Sequence, residues 1–158
     1  MLVLRQQIHI GRKLVEQIKQ MFQEIAKFKA ISFDLFDTLM FRAVSKPDVI
    51  FDLVEYCYNQ ECEKKVRNFR KIRKTAEEKA RKKVHYNEVT IRQIYEQLPF
   101  EKAKKEKLME IEQRLEAETS VPNGCMLDVL NACIERGQKV IIITDMYLDR
   151  TTIERLLQ

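Results

Sequence analysis

Two short polar clusters hold the residues best suited to chemistry in this chain: Asp34-Leu35-Phe36-Asp37-Thr38 and Thr144-Asp145. An exposed carboxylate such as that of Asp34 can attack an electrophilic phosphorus or carbon, and a hydroxyl or backbone N–H can hold the displaced oxyanion. A divalent cation beside the carboxylate would offset its repulsion of an incoming phosphate. Each cluster closes an apolar run. Ala30-Ile31-Ser32-Phe33-Asp34-Leu35 reads as a buried strand whose carboxyl end meets solvent, and Val140-Ile141-Ile142-Ile143-Thr144 is a second, β-branched run of the same kind. Open parallel sheets bind ligands beyond the carboxyl ends of their strands, so with the two strands as neighbours the clusters converge in one crevice.

The remaining elements read as helices. A seam of Leu14, Ile18, Met21, Ile25 and Phe28, spaced 4-3-4-3, predicts a helix from about Arg12 to Phe28. Ser45-Lys46-Pro47-Asp48 has the form of a helix start, with a Ser cap, an early Pro and an acid three residues after the Ser. The helix beyond it places Ile50, Leu53, Val54 and Cys57 on one side. A basic helix follows. Thr90 and Pro99 bracket another near Thr90 to Leu98, and Leu108, Ile111 and Leu115 mark one from about Glu101 to Glu118. After Pro122, residues Met126, Val129, Leu130 and Cys133 predict an amphipathic helix with Gly137 just past its end, and a last helix spans about Leu148 to Leu157. Two buried strands, each followed by a helix, imply a parallel α/β core with a helical insert between them.

The pattern from Phe33 to Leu39 resembles the first signature of the haloacid dehalogenase (HAD) superfamily of hydrolases, an apolar strand followed by Asp-x-(Asp or other)-x-Thr. The run from Val140 to Thr144 resembles the second, an apolar strand ending in Thr or Ser. The chain is most similar to bacterial members of the FD-x-FDTL type. In these a DMYL stretch follows the second strand, as Asp145-Met146-Tyr147-Leu148 does here, and the cap shows the spacing of Phe69, Arg73, Ala76-Glu77 and Ala80-Arg81. The resemblance spans about residues 30 to 158. It implies an α/β fold with an incomplete HAD-like Rossmannoid core of two parallel strands and a large helical cap, mostly helical overall. The expected parts are an N-terminal amphipathic helix at 1–28, a partial core at 29–44 and 121–158, and a cap at 45–120.

By the same resemblance Asp34 would be the nucleophile, forming an aspartyl-phosphate, and its other oxygen would bind Mg²⁺. The backbone carbonyl of Phe36 would be a second metal ligand, and Thr144 would hydrogen-bond the transferring phosphoryl group. Thr38, Arg42 and Asp145 are candidates for contacts to substrate. Loop fixing, a salt bridge and helix capping are their respective alternatives. The substrate would be a phosphorylated small molecule or sugar, and several members of the group accompany glycosyltransferases of surface-polysaccharide synthesis. The sequence departs from the phosphatase pattern at one position: the general acid–base Asp usually found two residues after the nucleophile is Phe36 here. Asp37 follows one position later. Dehalogenases of the superfamily accept an aromatic residue at that place. The third motif's Lys and the fourth motif's acids would lie beyond residue 158, so turnover is not expected of this chain alone. A non-catalytic interaction or oligomerisation module is the alternative, with a second copy completing the sheet.

Composition narrows the other classes. The chain is 45% hydrophobic and 34% charged with three Gly and three Pro, a profile of a helix-rich folded protein. No run reaches the ~18 apolar residues of a membrane span, and the start lacks a signal-peptide pattern, so the cytoplasm is the expected compartment. Cys57, Cys62, Cys125 and Cys133 form no CxxC pair and the only histidines are His9 and His85, which leaves no zinc-ligand spacing. The cysteines are expected reduced and mostly packed. The net charge of +5 is uneven: Lys64 to Lys83 holds eleven Lys/Arg against Glu77 and Glu78. That block could contact phosphates. Val66, Phe69, Ile72, Ala76 and Ala80 recur at helical spacing, however, so a helix with solvated charges is the preferred reading and nucleic acid is not an expected partner.

Overall fold

The computed structural model describes residues 16, 19–84 and 88–157. The chain is mixed α/β and mostly helical, and it divides into two compact units, Met1–Leu39 with Pro122–Ile143 and Met40–Val121 with Thr144–Gln158.

The first unit is built on a parallel strand pair. Strand β1 (Ala30–Asp34) runs beside β4 (Lys139–Ile143), with Ile31 opposite Val140, Phe33 opposite Ile142 and Asp34 opposite Ile143. Because successive side chains alternate across a strand, this register puts Ile31, Phe33, Val140 and Ile142 on one face. Phe33 is buried there, whereas Ile141 and Ile143 on the other face are 39% and 61% exposed. Helix α6 (Gly124–Glu135) packs on β4 and buries Val129 and Cys133. Gly137 follows with φ +72°, the left-handed conformation that closes a helix and costs a glycine least.

Helical backbone occupies 19–25 (α1), and part of the predicted first helix, including Leu14 and Ile18, lies outside the described residues. The expected seam does not extend to Phe28. The amide N–H groups of Lys27 and Phe28 donate to carbonyls only three residues back, so the helix tightens and ends, and Phe28 is left 59% exposed.

The second unit is helical. Helices α2 (Val49–Glu61), α3 (Phe69–Lys83), α4 (Ile91–Glu96) and α5 (Lys102–Thr119) pack together, and α7 (Arg150–Leu156) lies on α5. Ile50, Val54, Phe69, Ile91, Ile94, Leu108 and Ile111 are all fully buried and form its core. Each such side chain contributes ~1.5–3 kcal/mol of transfer free energy. Thr90 caps α4 in a reciprocal capping box with Gln93, as the Thr90 reading anticipates.

Two local expectations need correction, and one strand pairing is additional to them. Helix α2 begins at Val49 with Asp48 at the cap position, not at Ser45. Pro47 disfavours helical backbone at Lys46, and the chain enters the helix only afterwards, through a tight turn in which Val49 N–H donates to the Lys46 carbonyl. The cap of α7 is Asp149, whose carboxylate accepts from Thr152 N–H, and not Asp145, which is exposed. A short pairing of β2 (Met40–Arg42) with β3 (Ser120–Pro122) was not anticipated.

Among the described residues no helix is long and apolar enough to cross a membrane. The four cysteines are free thiols, with Cys133 buried, Cys57 and Cys62 half-buried and Cys125 exposed.

Candidate functional site

Asp34 is the last residue of β1. Its side chain is exposed and has no hydrogen-bond partner among the described residues. The turn after it is formed by Leu39 N–H donating to the Leu35 carbonyl at 2.9 Å, with Asp37 at φ 58°. That left-handed conformation is one that Asp tolerates better than most residues. Leu35 and Leu39 are fully buried and Phe36 is nearly so, which anchors the turn from beneath. Asn123 fixes it from the other strand end: its amide Nδ2 donates to the Thr38 carbonyl at 2.8 Å and its backbone N–H donates to the Leu39 carbonyl at 2.8 Å. Sequence reading missed Asn123. Its signal was an Asn placed just before the predicted helix at 126–133, where a side-chain amide can tie down neighbouring backbone.

Thr144 is the residue directly after Ile143, the β4 partner of Asp34. Its hydroxyl oxygen accepts a 3.3 Å hydrogen bond from Met146 N–H, which leaves the hydroxyl proton available to donate. Asp145 beside it is exposed. The predicted residues Asp34, Phe36 and Thr38 thus belong to one strand-end turn of the first unit, while Arg42, Thr144 and Asp145 belong to the second unit.

Arg42 is committed to the interior of the helical unit. Its Nε donates to Glu116 Oε2 at 3.0 Å and its Nη2 reaches the Met146 sulfur at 3.3 Å. Tyr147 donates its phenolic O–H to the other Glu116 oxygen at 3.3 Å. Burial pushes the Glu116 carboxyl above the usual range, against the lowering effect of Arg42. A cleft of about 430 Å³ borders this group, walled by Phe51, Met146 and Tyr147 and rimmed by Asp48, Lys74 and Glu77.

Deeper in the same unit, Arg73 of the basic helix is completely buried. It donates to both oxygens of the equally buried Glu112 at 2.9 and 2.8 Å, and its guanidinium lies 4.9 Å from the Phe51 ring centre and 4.8 Å from that of Tyr147. Tyr95 donates to Glu112 at 2.6 Å. Burial raises the phenol pKa values of Tyr95 and Tyr147 well above normal. Tyr58 is buried and Tyr147 half-buried, whereas Tyr56 is 63% exposed.

The basic block therefore differs from the expected buried stripe: Arg73 takes an inward position and Ile72 is only half-buried. Several of its charges are also neutralised locally. Arg70 pairs with Asp48 and Asp52, Lys74 with Asp48 and Arg81 with Glu77.

The donors assigned to a metal, the Asp34 carboxylate and the Phe36 carbonyl, are both hard oxygens. Mg²⁺ takes such ligands, and one or two protein oxygens suffice where water and phosphate fill its other positions. The donor class fits. Among the described residues no group of three His, Cys, Asp or Glu side chains is placed to hold a metal on its own. No protein-family model matches the chain, and no curated protein matches it.

Proposed function

We propose that this chain carries the nucleophile motif of a HAD-type phosphohydrolase, with Asp34 as the attacking carboxylate. The observation that supports this most is the parallel register of β1 and β4, in which Asp34 stands opposite Ile143 and Thr144 is the next residue of the chain. In this reading an Asp34 oxygen attacks the phosphorus of a phosphate ester, the bond to the ester oxygen breaks, and the leaving oxygen departs with the electron pair. Water then attacks the phosphorus of the aspartyl-phosphate, regenerating Asp34 and releasing phosphate. The Thr144 hydroxyl donates to a phosphoryl oxygen. Mg²⁺, held by Asp34 and the Phe36 carbonyl, supplies charge neutralisation when bound.

Phe36 sharpens the substrate class. Phe36, which is buried, takes the sequence position two after Asp34 that the resembled phosphatases give to a proton donor, so the reading favours esters whose leaving oxygen is already weakly basic, such as aryl phosphates, over alkyl phosphates. The test is phosphate release from an aryl phosphate by the protein as its gene encodes it. Release should require Mg²⁺ and vanish in Asp34→Asn. Release that persists in that variant rejects the assignment.

The same Phe36 favours a second reading, a non-catalytic assembly module in which the turn survives as structure. It predicts a self-associated protein without turnover, and a monomer in light scattering counts against it.

A further inference from the structure

We propose that Gln113 and Glu116 of α5 are positioning residues that set the path of the chain from Thr144 to Asp149. The two lie three residues apart on one helix, so they share a face, and each holds a different part of that segment. Glu116 accepts from the Tyr147 hydroxyl at 3.3 Å, and through Arg42, which it holds at 3.0 Å, it fixes the donor that reaches the Met146 sulfur. Gln113 donates its Nε2 to Asp149 Oδ2 at 2.7 Å. The start of α4 adds a third hold, since Ile91 N–H donates to the Tyr147 carbonyl at 2.7 Å.

The reason these contacts matter is what they replace. After Ile143 the strand ladder ends and α7 does not begin until Arg150. Backbone between such elements takes its conformation from side-chain partners or has none fixed. Inside the segment itself Met146 N–H donates to the Thr144 hydroxyl, and at its end Asp149 caps α7 through Thr152. Side chains of α5 and the N–H of Ile91 add hydrogen bonds from outside the segment, beside the packing of buried Leu148 and of the Tyr147 ring on Arg73. Glu116 is 1% exposed and is a costly group to bury without a task; holding Arg42 and Tyr147 at once is a task that both its oxygens perform. The helical unit therefore sets the conformation of the segment that opens with Thr144, and a change in the tilt of α5 would be felt there. Its bearing on catalysis rests on the phosphohydrolase reading; the structural coupling does not.

Tyr147→Phe and Gln113→Ala test this with mild changes: the first keeps the ring beside Arg73 and removes only the hydroxyl, and the second removes only the amide. In the double variant, amide hydrogen exchange at Met146 and Ile91 should accelerate at least tenfold while the core amides of α2 and α5 stay protected. Each single variant should give a smaller increase of the same pattern. Unchanged exchange at Met146 and Ile91 in a folded double variant overturns the proposal, and so does acceleration spread equally over the core. Aryl phosphate turnover by the protein as its gene encodes it is the second readout. With the phosphohydrolase reading correct, kcat falls in the double variant while Asp34→Asn leaves exchange at Met146 untouched. Local acceleration in a wild-type background that has no turnover leaves the coupling standing and removes the hydrolase.

Discussion

Arg73 and Glu112 meet inside the helical unit as a fully buried, two-pronged ion pair, closed in by the rings of Phe51, Tyr95 and Tyr147. Taking one partner away leaves the other charge buried without compensation. Arg73→Ala should lower the unfolding free energy by about 3–5 kcal/mol. Replacing both, as Arg73→Met with Glu112→Leu, should cost clearly less than the single change. Urea unfolding of the three proteins measures both, and a double variant weaker than Arg73→Ala would contradict the assignment of the cost to the orphaned carboxylate.

Asp149 gives a pH dependence of known sign. Burial raises its pKa, but hydrogen bonds from the Thr152 N–H and hydroxyl and from Gln113 outweigh that and lower it. A carboxyl lowered on folding stabilises the protein above its unfolded pKa, and the contribution is lost as pH falls through the folded value. Asp149→Ala should cost about 1 kcal/mol at neutral pH, a typical cap loss. The difference from wild type should shrink below about pH 4.

Glu116 should behave in the opposite sense. Burial raises its pKa and neighbouring Glu112 raises it further; Arg42 and the Tyr147 hydroxyl lower it but do not prevail. A carboxyl raised on folding contributes stability that is fully present below its unfolded pKa and is lost as pH rises through the folded value. Glu116→Gln has no such titration. The stability advantage of wild type over Glu116→Gln should therefore be larger near pH 4 than near pH 7, within about that window. Parallel chemical unfolding of both proteins at several pH values reads this directly, and a gap that widens with pH would contradict it.

Asn123 predicts a local effect in the first unit. Asn123→Ala frees the Thr38 carbonyl and should destabilise by about 1–3 kcal/mol. Amides of the Leu35–Leu39 turn should show the loss first in hydrogen exchange; equal loss at α6 would mean that Asn123 acts on the helix instead.

What the sequence made legible follows from which forces act locally. The strands were readable because each is a short apolar run that stops at polar residues, and their bounds differ from the expected runs by no more than one residue at either end. Thr90 declared its helix because a capping box is a contact among near neighbours. Arg73 was hidden because a charged residue on a basic helix is ordinarily solvated, and its partner lies 39 residues away on another helix. A trace of it was present in α5, where Glu112 and Glu116 continue the inward row of Leu108, Ile111 and Leu115. Acids in a buried row require cations opposite. Arg42 was singled out in sequence as a candidate for substrate or for a salt bridge, and only the three-dimensional packing brings it to Glu116.

The most direct test of Asp34 as nucleophile is covalent. The protein as its gene encodes it is mixed with an aryl phosphate and Mg²⁺, quenched in acid within the first turnovers, and digested for mass spectrometry. A phosphoryl group on the Asp34 carboxylate, absent from Asp34→Asn, is the predicted result. Phosphate released with no phosphorylated Asp34 peptide, or a phosphoryl group carried by another residue, would contradict it.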